Sequence, residues 1–391
     1  MTQKSLTNPS TAFISPNSNI HRMTVELLEQ ADIRIGGNRP WDMHLKASNV
    51  PERAFAHGSL GLGDAYMDGD WDAESLDEFF CHLLRAHLDQ HVQPFKLVFH
   101  ALRVRLLNRQ STTRAWQVGE AHYDLGNDFY AAMLDPRMAY TCGYWENASN
   151  LAEAQEAKLE LICRKLKLEP GMRVLDIGCG WGSFMGYAAE HYGVECVGVT
   201  ISKEQAEWAK KRYAGLPLEF RLQDYREVNG AFDRVVSVGM FEHVGRKNHR
   251  EFMEVASRCL VNDGLCLLHT IGKNERNTTP DPWIDKYIFP NGDLPSIGQI
   301  GDAAGGLFVV EDLHNFGADY DKTLMAWHAN FEAAWPQFSA ELGDRFYRMW
   351  RYYLLSCAGA FRARDIQLWQ WVLSKEGVMG GYLRPTLSTE I

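Results

Sequence analysis

Six short clusters of polar residues carry the chemistry open to this 391-residue chain. Asp176 stands two residues before Gly178, and glycine recurs at Gly180 and Gly182. Glycines at alternate positions let a backbone approach a bound ligand, because no Cβ stands in the way. Thr200, Ser202 and Gln205 form a second cluster, and Gln223-Asp224-Tyr225-Arg226 a third. Phe241-Glu242-His243, His269-Thr270-Ile271-Gly272 and the run Asn315 to Tyr320 complete the set. A glycine cradle followed by hydroxyls and one acid suits a nucleotide-like ligand. A carboxylate, an imidazole and a phenol suit acid–base or charge-stabilising work.

Something must hold these clusters together. Apolar, branched runs precede them at Arg173 to Ile177, Glu195 to Val199, Leu218 to Leu222, Arg234 to Val238, Leu265 to His269 and Phe308 to Leu313. Ile366 to Leu373 is a weaker seventh run. Helix-compatible segments separate most of them, including Ser183 to His191 and the periodic stretch from Leu151 to Leu166. Such alternation predicts an α/β fold with a mainly parallel sheet and helices on both faces. Ligands of these sheets bind outside the carboxyl ends of the strands. Each polar cluster falls at such an end.

The glycine pattern alone is shared by dinucleotide and S-adenosylmethionine sites. A dinucleotide fold usually sets Asp or Glu on the ribose about 20 residues on. Thr200 occupies that place, and no acid follows until Glu204. Asp176 can hold a cationic amino-acid tail, and Asp224 suits an adenine amino group. These features favour S-adenosylmethionine over NAD.

Composition narrows the class. A hydrophobic share of 46% and a charged share of 23% are ordinary for a globular protein. A net charge of −10 argues against nucleic acid as a partner. No apolar run approaches the ~18 residues of a membrane span. The eight cysteines are scattered singly, without a CxxC pair, which predicts reduced thiols and neither a disulfide framework nor a metal site.

Four regions are expected: a polar, disordered N-terminus over 1–20, a small mixed accessory domain over 21–92, a linker over 93–120 and a catalytic domain over 121–391. The linker interleaves Lys96, His100, Arg103, Arg105, Arg109 and Arg114 with apolar residues and contains no acid. That pattern suits an amphipathic helix on an anionic membrane surface, but the residues alone favour a connecting helix whose cations pair with neighbouring carboxylates, a preference that a lipid substrate would reverse.

Longer motifs carry a resemblance. Tyr140-Thr141-Cys142-Gly143-Tyr144-Trp145, Val174 through Gly182, Gly239 through Gly245 and His269-Thr270-Ile271-Gly272 resemble the cyclopropane-fatty-acyl-phospholipid synthases. So do Asp281 through Gly292, Asn315 through Tyr320 and Cys357 through Arg362, and the likeness covers nearly the whole chain. The resemblance implies a Rossmann-like methyltransferase fold with a seven-stranded sheet and a small mixed N-terminal domain. It implies transfer of a methylene group from S-adenosylmethionine to the cis double bond of unsaturated membrane phospholipids, with bound bicarbonate taking the proton. Carried over residue by residue, Cys142, Glu242, His269, Ile271 and Tyr320 match the bicarbonate site, and Cys357 matches a position treated as active-site. Tyr140, Thr141, Asp176, Gly178, Gly180, Thr200, Ser202, Gln205, Asp224 and Tyr225 match the cofactor site. A homodimer, cytoplasmic and peripheral to the inner face of the membrane, is likewise implied.

Bland readings stand beside these. His269 also suits a satisfied buried histidine, Glu242 a helix-starting acid, and the cysteines small buried hydrophobes. A methyltransferase for a soluble acceptor would need a polar pocket. A non-catalytic lipid binder would lack one of Glu242, His269 or Tyr320, and all three are present.

Overall fold

The computed structural model describes residues 19–88, 125–276 and 279–387. The basic stretch with Arg103, Arg105 and Arg109 lies outside the described residues.

Four helices open the described chain: α1 (Asn19–Gln30), α2 (Val50–His57), α3 (Ser59–Met67) and α4 (Leu76–Arg85). Two short strands, β1 (His44–Leu45) and β2 (Trp71–Asp72), pair antiparallel among them. The strand-like piece around Ile33 to Ile35 forms only an isolated bridge, Ile35 to Met43. Three residues of β-like sequence with no long partner cannot build a ladder.

The main sheet contains β3 (Arg173–Ile177), β4 (Glu195–Thr200), β5 (Leu218–Leu222), β6 (Phe232–Val238), β7 (Leu260–Lys273), β8 (Val309–Asn315) and β9 (Ile366–Ser374). Their order is β5-β4-β3-β6-β7-β9-β8, and only β9 runs antiparallel to its neighbours. The expected α/β class and mainly parallel seven-stranded sheet are present. Val174, Leu175 and Ile177 are wholly buried because helices cover both faces. Burial on both sides is why β3 reads as a continuous apolar run rather than an alternation.

Interleaved with the strands are α5 (Asn127–Met133), α6 (Leu151–Lys165), α7 (Ser183–Tyr192), α8 (Lys203–Arg212), α9 (His249–Cys259), α10 (Pro282–Tyr287), α11 (Ile297–Ala304) and α12 (Ala318–Ala363). Local caps set several starts. Asn150 accepts from the Glu153 amide ahead of α6, and Ser202 accepts from the Gln205 amide ahead of α8. Ser296 and Gln299 form a reciprocal capping box on α11.

α12 doubles back at Gly343, so that Phe331 stacks on Tyr347 and Trp335 on Phe346. Its second half receives the N-terminal helices. Gly359 lets the backbones meet, since a Cβ there would lie 2.5 Å from the Asp77 carbonyl oxygen. Arg348 reaches Asp72 at 3.0 Å and the Trp71 carbonyl at 2.8 Å. Arg362 bridges Asp77 at 2.6 Å and Asp321 at 2.9 Å. One hydrophobic cluster runs from Ile33, Trp71 and Phe79 through Trp283 to Trp327, Trp350 and Leu354.

β7 is longer than the Leu265 to His269 run predicts. Its parallel pairing with β6 ends at Val238 and His269, but pairing with β9 continues to Lys273. Thr270, Ile271 and Gly272 are therefore strand residues, held by a neighbour almost 100 positions away in sequence.

Candidate active site

The turn between β3 and α7 forms the cradle. Gly178 and Gly180 both have positive φ, at 86° and 53°, a region that side chains disfavour. They differ in what they face. A Cβ on Gly178 would lie 2.5 Å from Met240 Cγ, whereas one on Gly180 would meet nothing within 4 Å. Gly178 permits packing inside the protein, and Gly180 faces open space.

That space is a cavity of about 910 Å³. Tyr140, Thr141, Asp176, Gly178, Gly180, Thr200, Ser202, Gln205, Asp224 and Tyr225 all line it. Some already have duties within the fold. The Thr200 hydroxyl donates to Gln205 Oε1 at 3.1 Å, and Ser202 caps α8. Asp224 pairs with Arg226 at 2.9 Å and accepts from the Arg226 amide at 3.0 Å. Asp176 differs. Its Oδ1 is buried without a hydrogen-bond partner, and burial pushes its carboxyl up to about 7. An acid in that state gains from a cation placed beside it.

The second group is arranged by the ends of β6 and β7 and the start of α12. The Gly239 amide donates to the His269 carbonyl at 2.9 Å, and a single 3₁₀ turn then carries Glu242. Glu242, Ile271, Tyr320 and Cys357 line the same cavity, whereas Cys142 and His269 are fully buried and do not. Glu242 Oε1 accepts from the Ile271 amide at 2.6 Å, and Oε2 has no partner. Burial pushes this carboxyl up to about 7, against the lowering effect of the Ile271 amide. The Gln370 amide nitrogen lies 3.2 Å from His269 Nδ1. With that amide donating, Nδ1 accepts, and the ring proton sits on Nε2, which is buried without a partner. Burial holds His269 neutral, its pKa well below the usual range.

Tyr320 stacks on Phe361 at 4.5 Å and meets Trp327 edge-on at 5.9 Å. Burial raises its phenol far above its ordinary value, and charge on Cys142, Glu242, Tyr140 or Cys357 would raise it further. Both cysteines are neutral thiols, since burial raises Cys142 well above its usual range and Cys357 to about 12. Neither is poised as a thiolate.

The cavity has an apolar arm. Leu28, Val50, Ala54, Phe79 and Leu83 of the N-terminal helices line it together with Trp283 and Phe361. Two polar residues of α6 were missed from sequence. Gln155 and Lys158 lie on the buried stripe Leu151, Ala154, Leu159, Ile162, and are themselves buried. An amide and an ammonium at apolar positions of a helix were the available signal.

A mainly parallel sheet with one antiparallel strand, a glycine cradle after its first strand and an unpaired acid there define the S-adenosylmethionine-dependent methyltransferase fold. The chain belongs to the mycolic acid cyclopropane synthetase family, which it matches over residues 110–371. It is 54% identical over 367 residues to the cyclopropane-fatty-acyl-phospholipid synthase of Escherichia coli (strain K12), covering 94% of this chain and 96% of that protein. Among solved structures it is similar to the cyclopropane synthase MmaA2 from Mycobacterium tuberculosis, with 33% identity and a TM-score of 0.63 over 66% of this chain and 98% of that one. It is similar also to the mycolic acid cyclopropane synthase CmaA1 complexed with SAH and CTAB, with 36% identity, a TM-score of 0.63 and the same coverage. α1 to α4 precede the family match.

Proposed function

We propose that this protein is a cyclopropane-fatty-acyl-phospholipid synthase. It transfers a methylene group from S-adenosylmethionine to the cis double bond of unsaturated acyl chains in membrane phospholipid. The observation that carries this reading is the single cavity joining the glycine cradle, the cluster of Glu242 and Tyr320, and the apolar arm beneath the N-terminal helices. A polar acceptor would have no use for that arm. The identity to the Escherichia coli synthase supports the choice of phospholipid.

The residues fit the two small molecules the reaction needs. Gly180 leaves room for the donor, and the unpaired Asp176 complements its cationic amino-acid end. Glu242 Oε2, unpartnered in the cavity wall, suits a small polar anion such as bicarbonate, and we assign the unpartnered Nε2 of His269, which lies outside the cavity lining, as its second contact. When bound, S-adenosylmethionine supplies an electrophilic methyl group, and bicarbonate supplies a base for the proton that this methyl loses before the ring closes. The protein's own part is electrostatic. A Glu242 carboxyl near 7 is partly protonated at neutral pH and can donate to the anion. Neutral His269 donates through Nε2 without adding a positive charge. Tyr320 and Phe361, which line the cavity, place aromatic rings beside positive charge developing on the acyl chain. The buried wall keeps water from capturing that charge. Cys142 and Cys357 fill space beside Tyr320 as thiols.

Reaching the substrate requires the enzyme to work at the bilayer. No helix among the described residues is long and apolar enough to cross a membrane. Peripheral attachment to the cytoplasmic face, through the basic stretch around Arg103, Arg105 and Arg109, completes this proposal, as does a homodimer formed through the N-terminal unit.

Purified protein with S-adenosylmethionine, bicarbonate and vesicles of unsaturated phospholipid should add one CH2 per modified double bond, read by mass spectrometry. Absence of that gain on lipid, with methylation of a soluble amine or hydroxyl instead, would overturn the assignment.

A further inference from the structure

Lys158 is a cation buried in the wall of the cavity, only 1% exposed, and it forms no salt bridge among the described residues. Burying an ammonium is costly unless something needs it there. A methionine would fill the same stripe of α6 without that cost. Its surroundings indicate the need. The ammonium donates to Thr141 Oγ1 at 2.8 Å. One turn earlier, Gln155 Nε2 donates to the Thr141 carbonyl at 2.8 Å and to the Ala139 carbonyl at 3.4 Å. α6 therefore holds the Tyr140-Thr141 strip at both side chain and backbone.

An ammonium only donates, so Thr141 Oγ1 accepts from it and the hydroxyl proton must point elsewhere. The methyl side of Thr141 is closed, since a Cβ on Gly239 would lie 2.4 Å from Thr141 Cγ2. The open direction is the cavity, which Thr141, Lys158 and Asp176 all line. Asp135 and Asp176 are the carboxylates whose charge acts on Lys158. Of these, Asp176 lies in the cradle itself.

We propose that Lys158 is a positioning residue for the amino-acid end of the methyl donor. Its ammonium turns the Thr141 hydroxyl proton into the cavity, toward the carboxylate of that end, while Asp176 complements the ammonium. The inference rests on the methyl-donor reading of the cradle. It separates two jobs that a single pocket would otherwise blur: the glycines admit the nucleoside, and the Lys158–Thr141 pair selects a carboxylate.

The test uses the full chain, titrated calorimetrically with S-adenosylhomocysteine and with 5′-methylthioadenosine, which lacks both the carboxylate and the amino group. Lys158→Met and Thr141→Val should each weaken S-adenosylhomocysteine by roughly tenfold to a hundredfold, the worth of a charge-assisted hydrogen bond. Methylthioadenosine should bind as before, and the double variant should lose no more than the worse single one. Equal weakening of both ligands would mean that Lys158 merely supports the fold, and no weakening of either would remove its role. Should Lys158→Met fail to fold, Thr141→Val must show the split alone, and its absence overturns the proposal. Wild-type protein that binds neither ligand would overturn the methyl-donor reading as well, an outcome distinct from binding without discrimination.

Discussion

At the scale of single residues, the site is built from groups whose ordinary ionisation has been suppressed. Glu242 carries a pKa of about 7 against an ordinary 4.5, and burial is the largest cause. Below about 4.5 the carboxyl is protonated in both folded and unfolded chains, and folding is unaffected. Between there and about 7 the unfolded chain releases a proton that the folded chain retains, so stability falls as pH rises. Above about 7 the loss levels off, at about 3 kcal/mol at the upper end. Glu242→Gln keeps an acceptor for the Ile271 amide and removes this loss. The variant should therefore gain stability relative to wild type as pH is raised from about 5 to about 7.5, measured by denaturant unfolding at matched pH. A stability difference that stays flat over that range would mean the carboxyl is hydrated. The same substitution removes the carboxyl's partial negative charge from beside the developing cation and should lower turnover on vesicles by roughly a hundredfold, the scale of one lost electrostatic contact. S-adenosylhomocysteine affinity should survive it.

At the scale of elements, the turn from β3 into α7 shows two glycines serving two masters. Gly178→Ala sets a Cβ 2.5 Å from Met240 Cγ and should be read as lost stability. Gly180→Ala meets no protein atom within 4 Å, although φ is 53°. Its cost to folding should be only the ~1–2 kcal/mol of a left-handed non-glycine residue. S-adenosylhomocysteine affinity should nonetheless fall by at least tenfold in calorimetry, because the added methyl enters the ligand's space. If Gly180→Ala binds normally, the cradle does not contact the ligand there. α6 shows the complementary case, a helix whose apolar stripe is interrupted by Gln155 and Lys158 to hold a neighbouring strip of chain.

For the molecule as a whole, α12 joins the N-terminal helices to the sheet, and its aromatic face continues the cavity into them. Arg348 and Arg362 tie β2 and α4 to it. If the apolar arm receives an acyl chain, narrowing it should affect lipid and spare the cofactor. Ala54→Trp should leave S-adenosylhomocysteine affinity unchanged while kcat/KM on vesicles drops at least tenfold, assayed with phospholipids of graded acyl length. A uniform loss across all lengths and ligands would instead mark a folding defect.

Much of this was legible in the chain. The buried strands are apolar because helices cover both faces, so periodicity located them, and the carboxyl ends collected Asp176, Thr200, Asp224, Glu242 and Tyr320 as parallel topology requires. Ends of strands were less legible: β7 runs past His269 because β9, from the far end of the chain, continues the ladder. Local sequence determined the elements, the glycine cradle and the residue types available for chemistry, because backbone conformation and burial pattern are short-range properties. Only the tertiary structure decided how those residues are used. It set Glu242 against the Ile271 amide, left His269 Nε2 without a partner, enclosed Lys158 beside Thr141 and opened the cavity toward the N-terminal helices. Desolvation and hydrogen-bond partnership are set by neighbours distant in sequence, and they are what turn an ordinary carboxylate, imidazole or ammonium into part of a site.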